Sequence, residues 1–162
     1  MDTGGMKHFL IIGNKNALFW KDIFPLFMEG RLRFGYNHIN GFILPDNADK
    51  WEKIEGGKKL NNFQGTGRWF TDMPVNRQTK PIEYTEGEYP TYDTFNAVNT
   101  DRRTMIPDTD GLIGVPIDFL DILHPQQFEI VGELMNGAGR YDYGKPIVEG
   151  KKKYTRLLIK RV

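Results

Sequence analysis

The stretch from Tyr92 to Leu120 restricts the fold more than any other, because it concentrates residues with narrow backbone preferences. Asn96 to Asn99 reads as a short extended segment. Asp110-Gly111 is a turn signal, since glycine reaches positive φ at no steric cost. Gly114-Val115-Pro116 reads as extended backbone, because proline pushes the residue before it out of the helical region. Asp118 then stands where it can cap a short helix through Phe119, Leu120 and Ile122. A structural wall and a binding loop would share these features.

Around this stretch the chain reads as alternating strand and loop. Phe9, Leu10, Ile11 and Ile12 run without polar alternation, the pattern of a strand covered on both faces. Asn14 or Asn16 can cap a helix. Phe19, Ile23, Leu26 and Phe27 fall near helical spacing, with Pro25 as a break or kink, since an interior proline costs ~3 kcal/mol. Gly30 is a stop signal, and Leu32 to Tyr36 reads as the next strand. These parts predict a βαβ-like unit over residues 1–36. Phe42-Ile43-Leu44 reads as a short strand, and Asp46 to Asn62 as an irregular polar insertion. Arg68 to Thr71 reads as a strand and Met73 to Tyr89 as loop. Phe128 to Leu134 and Tyr154 to Arg161 alternate, which predicts an antiparallel hairpin over 128–162 at the edge of a sheet, closed by a glycine-rich loop.

Composition removes several chemistries. The chain has 162 residues, enough for one domain with a real core. It contains no cysteine and no serine, so disulfides, thiolate metal sites and the common nucleophilic triads are excluded. His8, His38 and His124 are scattered and show no metal-ligand spacing. No apolar run approaches the ~20 residues of a membrane span, and Phe9 to Gly13 is too short for a signal peptide. A cytoplasmic protein is the expectation.

The net charge of +1 conceals a separation. Residues 145–162 carry +6, leaving −5 on the remainder, and residues 83–121 alone carry −7. A DNA-facing surface needs cations that replace phosphate counterions, and the basic end can supply them. A solvated edge strand guarded by lysines would look the same. Short motifs are read against their context. Phe63-Gln-Gly-Thr-Gly mimics a cofactor glycine loop but precedes an aromatic strand. Gly139 to Lys145 has phosphate-loop spacing, yet Pro146 stands where a hydroxyl is needed. Asp108, Asp110, Asp118 and Asp121 could hold a metal, although turn and cap roles explain Asp110 and Asp118.

The central stretch also carries a family likeness. It resembles EcoRI-type adenine-specific DNA methyltransferases, which share Tyr-Asp-x-x-x-Ala-(Ile/Val)-Asn, then Ile-Pro, then Asp-Gly-x-x-Gly-Val-Pro-Ile-x-Phe-Leu. Here the pattern falls on Tyr92, Asp93, Ala97, Val98, Asn99, Ile106, Pro107, Asp110, Gly111, Gly114, Val115, Pro116, Ile117, Phe119 and Leu120. It extends to Phe9-Leu-Ile-Ile-Gly-Asn, Ile23-Phe-Pro-Leu, Arg68-Trp-Phe-Thr, Gln127-Phe-Glu-Ile-Val-Gly and Tyr154-Thr-Arg-Leu-Leu-Ile. The resemblance implies the C-terminal portion of such an enzyme. The family's Asn-Pro-Pro-Phe run is absent, since no two prolines are adjacent, and both it and the cofactor glycine motif are expected before residue 1.

The likeness sets further expectations. The fold class is α/β, an α+β-like fragment forming the second half of a methyltransferase-type mixed sheet. Residues 1–162 make a single domain, with an irregular recognition insertion over 37–127 and the terminal hairpin over 128–162. The family methylates the exocyclic amine of adenine, flipping the base into a pocket. The family's cofactor is S-adenosylmethionine, with none expected to bind this chain alone. Expected partners are DNA and a missing N-terminal catalytic half, with no membrane. No residue is a catalytic candidate, and the isolated chain is expected to be inactive. Candidate DNA contacts are Arg68, Arg77, Lys80, Arg102, Arg103, Lys151, Lys152 and Lys153, with Trp69 and Phe95 as stackers. The alternative is a stand-alone non-catalytic DNA-binding module or an inactive methylase remnant.

Overall fold

The computed structural model describes residue 5 and residues 7–162, with backbone alone at Phe63 and Gln64. The elements in chain order are β1 (Leu10–Asn14), a 3₁₀ turn (Lys15–Phe19), α1 (Phe24–Met28), β2 (Arg33–Ile43), β3 (Lys53–Glu55), β4 (Lys58–Thr71) and a 3₁₀ turn (Asn76–Thr79). There follow β5 (Ala97–Asn99), β6 (Leu112–Val115), a 3₁₀ turn (Ile117–Asp121), β7 (Phe128–Leu134), β8 (Ile147–Val148), β9 (Lys151–Lys152) and β10 (Arg156–Arg161). The chain is sheet-rich with few helices, an α/β fragment at that coarse level.

The first sheet corrects the βαβ expectation. β1 and β2 do not pair with each other. Both lie antiparallel against β4, in the order β1-β4-β2, and β3 adds to β4 beyond them. The physical reason is the returning chain. Residues 46–62 are largely ordered, because Gly56 and Gly57, both at positive φ, close β3 onto β4 as a two-residue hairpin. The fourteen residues of β4 then run back between β1 and β2, roughly 45 Å if fully extended.

Pro25 divides the expected single helix. Asn14 caps the 3₁₀ turn, its Oδ1 accepting from the Asn16 amide at 2.9 Å. Pro25 sits in the first turn of α1, where its missing N–H costs nothing. Phe27 of α1 meets Phe34 and Phe70 edge-on, with ring centroids 5.1 and 6.1 Å away, and this pins α1 to the sheet.

The second sheet has the order β5-β6-β10-β7. β5 and β6 are parallel, and the other pairs are antiparallel. β7 and β10 pair as their alternation predicts, with a bulge between Leu158 and Ile159. The placement of β10 at a sheet edge is corrected: it lies between β6 and β7. Leu157 and Ile159 enter one core with Leu18, Phe24, Phe34, Ile113 and Phe119. Leu158, on the opposite face, joins Tyr92, Ala97, Leu134 and Val148. A strand with apolar cover on both sides gains by being interior, so burial of Leu158 decides against the edge. Asp118 also departs from its expected role. The turn Ile117–Asp121 starts from Pro116, and no side chain caps it.

Candidate nucleic-acid interface

The residues of the Tyr-Asp and Ala-Val-Asn pattern form an internal polar clamp. The buried Tyr92 hydroxyl donates to Asn99 Oδ1 at 2.8 Å. Arg156 on β10 donates from Nε to the same oxygen at 3.2 Å and from Nη2 to Asp101 Oδ1 at 2.8 Å. Asn99 Nδ2 and Lys153 Nζ also donate to Asp101, each at 3.1 Å. Burial pushes the Tyr92 hydroxyl far above its usual range, against the field of Arg156. The hydrogen bond from Asn99, helped by Lys153 and Arg156, holds the Asp101 carboxyl below its usual range despite partial burial. Gly114 is required here because a Cβ would fall 1.9 Å from the Tyr92 hydroxyl. Asp93 pins the turn between β8 and β9, accepting from the Glu149 and Gly150 amides at 2.9 and 2.8 Å.

The charge separation read from the sequence is resolved in part by contact. Lys153 and Arg156 meet Asp101, and Arg161 meets Asp108 and Asp110. Asp121, buried, accepts from Arg103 Nη1 at 3.1 Å and lies 2.7 Å from His38 Nε2. Every member of the acidic group Asp108, Asp110, Asp118 and Asp121 therefore faces an arginine, with Asp118 4.0 Å from Arg103. Among the described residues no cluster of three metal-ligating side chains occurs.

This pairing sorts the candidate cations. Arg68 is buried and donates to the carbonyls of Gly65 and Gly67, which makes it a backbone tie. Arg103 and Lys153 stand in ion pairs. Lys80, Arg102, Lys151 and Lys152 are exposed and form no ion pair among the described residues. Arg77 is half-buried with its guanidinium 4.4 Å over the Tyr36 ring. Arg77 and Lys80 share a groove of about 570 Å³ with Tyr84, Thr104, Glu83 and Glu86. Residues 101–104 connect the two cationic groups. Asp101 holds Lys153 at one end, and Thr104 lines the groove at the other. Trp69 is half-buried, and Phe95 packs against Tyr143 at 5.4 Å.

Two glycine loops can be judged on geometry. Residues 63–67 lie inside β4, and the side chains of Phe63 and Gln64 are outside the described residues. No helix succeeds them to receive a ligand at its amides. The loop at 135–144 does present a cradle of amides, but Asp142 fills it. Its carboxylate accepts from the amides of Met135, Asn136, Gly137, Ala138 and Gly144. Burial pushes the Asp142 carboxyl up, and these amides outweigh it and hold the group below its usual range. Beside it, burial and the nearby Asp142 charge push Glu133 up to about 7.

Three residues of this region escape a reading of the sequence. Tyr36 stacks on Arg77, His38 meets Asp121, and Tyr154 stands almost wholly in solvent beside Lys151, Lys152 and Lys153. An aromatic next to a lysine run is a usable signal for Tyr154. Nothing local marks Tyr36 or His38, whose partners lie far away in sequence.

With this geometry in hand, comparison with known proteins is informative. The family described as adenine-specific methyltransferase EcoRI matches residues 5–162. The type II methyltransferase M.EcoRI of Escherichia coli is 31% identical over 95% of this chain and 50% of its own length. The type II methyltransferase M.MpnI of Mycoplasma pneumoniae is 30% identical over 96% of this chain and 57% of its own. The chain thus spans about half the length of the curated relatives it matches. No solved structure matches. No helix among the described residues is long and apolar enough to cross a membrane. On the match across nearly all of its residues, the chain belongs to the EcoRI-type adenine-specific methyltransferase family.

Proposed function

We propose that this chain is the C-terminal portion of a site-specific adenine-N6 DNA methyltransferase of the restriction–modification kind, where it supplies sheet strands and target recognition. The observation that carries the reading is the family match over 5–162 at about half the relatives' length, in a sequence with no adjacent prolines. The pocket that holds a flipped adenine in this family needs the Asn-Pro-Pro-Phe run, so another stretch of polypeptide must supply it. DNA is the substrate, and the chain's role is to position it. The exposed Lys80, Arg102, Lys151 and Lys152 contact phosphates, and Arg77 with Tyr36 offers a stacked cation at the groove.

Three places in the chain fit S-adenosylmethionine poorly. The glycine run 63–67 is strand, the 135–144 cradle is filled by Asp142, and the apolar groove beside β1 lacks a carboxylate to receive a ribose. In this reading the methyl donor is held by the remainder of the enzyme, which works in the cytoplasm, where its DNA substrate lies.

The test is direct. The purified chain incorporates no labelled methyl group into adenine but binds duplex DNA in a gel-shift titration, more weakly as salt rises. Neutralising Lys80, Arg102, Lys151 or Lys152 lowers the salt slope by ~0.9 for each phosphate that is no longer neutralised. Methylation by the chain alone would refute the reading.

A further inference from the structure

β1 is an exposed strand of unusually apolar composition. Phe9, Leu10, Ile11 and Ile12 are 39%, 52%, 56% and 47% exposed. Successive side chains of a strand point to opposite faces, so four exposed apolar residues in a row leave both faces bare. β1 is also the end strand of its sheet, pairing with β4 on one side and with no other strand among the described residues. Natural edge strands are guarded by charge, proline or a bulge, and Leu-Ile-Ile-Gly-Asn carries none of these. The sequence has the composition of an interior strand, and the structure gives it neither cover nor a second neighbour. Beside it runs an apolar groove of about 440 Å³ lined by Ile11, Trp20, Ile23, Leu26, Leu32 and Phe70. Trp20 at its rim is 66% exposed.

The relatives contain about as much polypeptide again as this chain matches. That portion needs a surface, and a free strand edge with apolar faces is the surface on which a protein chain can add a strand. We propose that β1 and the Trp20 groove form the seam onto which the catalytic portion of the methyltransferase docks, continuing the sheet along the free side of β1 and covering both its faces. The proposal rests on the reading given under Proposed function. A second copy of the chain is the competing occupant, and it predicts a homodimer through the same edge.

The experiment mixes the full chain with the separately expressed portion of M.EcoRI that the chain does not match, and follows amide hydrogen exchange by mass spectrometry. The expected result is a one-to-one complex in which the Leu10–Asn14 amides exchange at least ~100-fold more slowly than in the chain alone. Leu10→Lys with Ile12→Lys weakens the complex at least ~10-fold, because the lysines would be buried against the partner. Ile54→Lys, at an equally exposed apolar position on β3, leaves it unchanged. Fusing the same portion ahead of the chain supplies a second measurement if the separate pieces fail to assemble. A complex or fusion with unprotected β1 amides overturns the proposal, as does equal weakening by Ile54→Lys. A homodimer that persists with the probe present overturns it too. Protection of β1 in a complex that binds no DNA leaves the docking seam standing and removes the functional reading. DNA binding without protection does the reverse.

Discussion

The two sheets of this protein are built to different standards. In the second sheet β10 is buried on both faces over Arg156–Ile159, and its arginines are answered: Arg156 by Asn99 and Asp101, Arg161 by Asp108 and Asp110. In the first sheet the apolar residues of β1 are exposed, and the far end of β2 and the strand β3 reach into solvent with Phe42, Ile43 and Ile54 exposed. One sheet holds the molecule together, while the other makes surface available. Tyr92, Asn99 and Gly114, residues of the family pattern, brace the closed sheet, and Asp93 pins the β8–β9 turn, so all four act as scaffold.

That contrast can be broken most sharply by paired truncations. Leu157→Ala in the closed sheet costs about 2–5 kcal/mol, the range for emptying a packed core position. Ile11→Ala in the open sheet costs no more than ~0.5 kcal/mol in the isolated chain. Urea unfolding of both variants measures the difference, and equal losses would erase the distinction. Next in size is the clamp. Arg156→Met takes one donor from Asn99 and one from Asp101, which keep Tyr92, Asn99 Nδ2 and Lys153, and costs about 2–3 kcal/mol. Asp101→Asn costs under ~1 kcal/mol because that carboxylate is largely exposed. Thermal melts of the two single variants and the double variant test whether the loss is shared through one network.

Below the two large losses, at Leu157 and Arg156, comes a pH dependence. Glu133 is harder to ionise folded than unfolded, so between the ordinary glutamate range and about 7 the folded chain holds the extra proton. Its contribution is full below the unfolded value and is lost as pH rises through that window. Glu133→Gln flattens this slope and stabilises the chain above pH 7 by on the order of 1–2 kcal/mol. Unfolding midpoints from pH 4 to 8 give the answer, and parallel curves for parent and variant would discard it.

Legibility in the sequence tracks the range of the interactions. The alternation of Phe128 to Leu134 against Tyr154 to Arg161 marks a real pairing, because a period of two survives in any sheet. The interior place of β10 is hidden, since it depends on β6 arriving from another part of the chain. The apolar character of β1 is plain in its letters, but the cover those letters imply is missing. The cation candidates look alike as letters. Only folding shows that Arg68 ties Gly65 and Gly67, that Arg103 and Lys153 are paired, and that Lys80 and Arg102 face outward. The amide cradle at 135–144 is recognisable by its glycines, whereas its internal occupant, Asp142, is not.

The interior position of β10 carries a cost in time. β6 and β7 are synthesised before the strand that joins them, so β6 waits with one edge open and β7 with both until Arg156 to Arg161 emerges. Contacts such as Leu157 with Val115 close a long loop, which slows folding, and the waiting edges can capture neighbouring chains. Cooler, slower expression should therefore raise the soluble yield of this polypeptide.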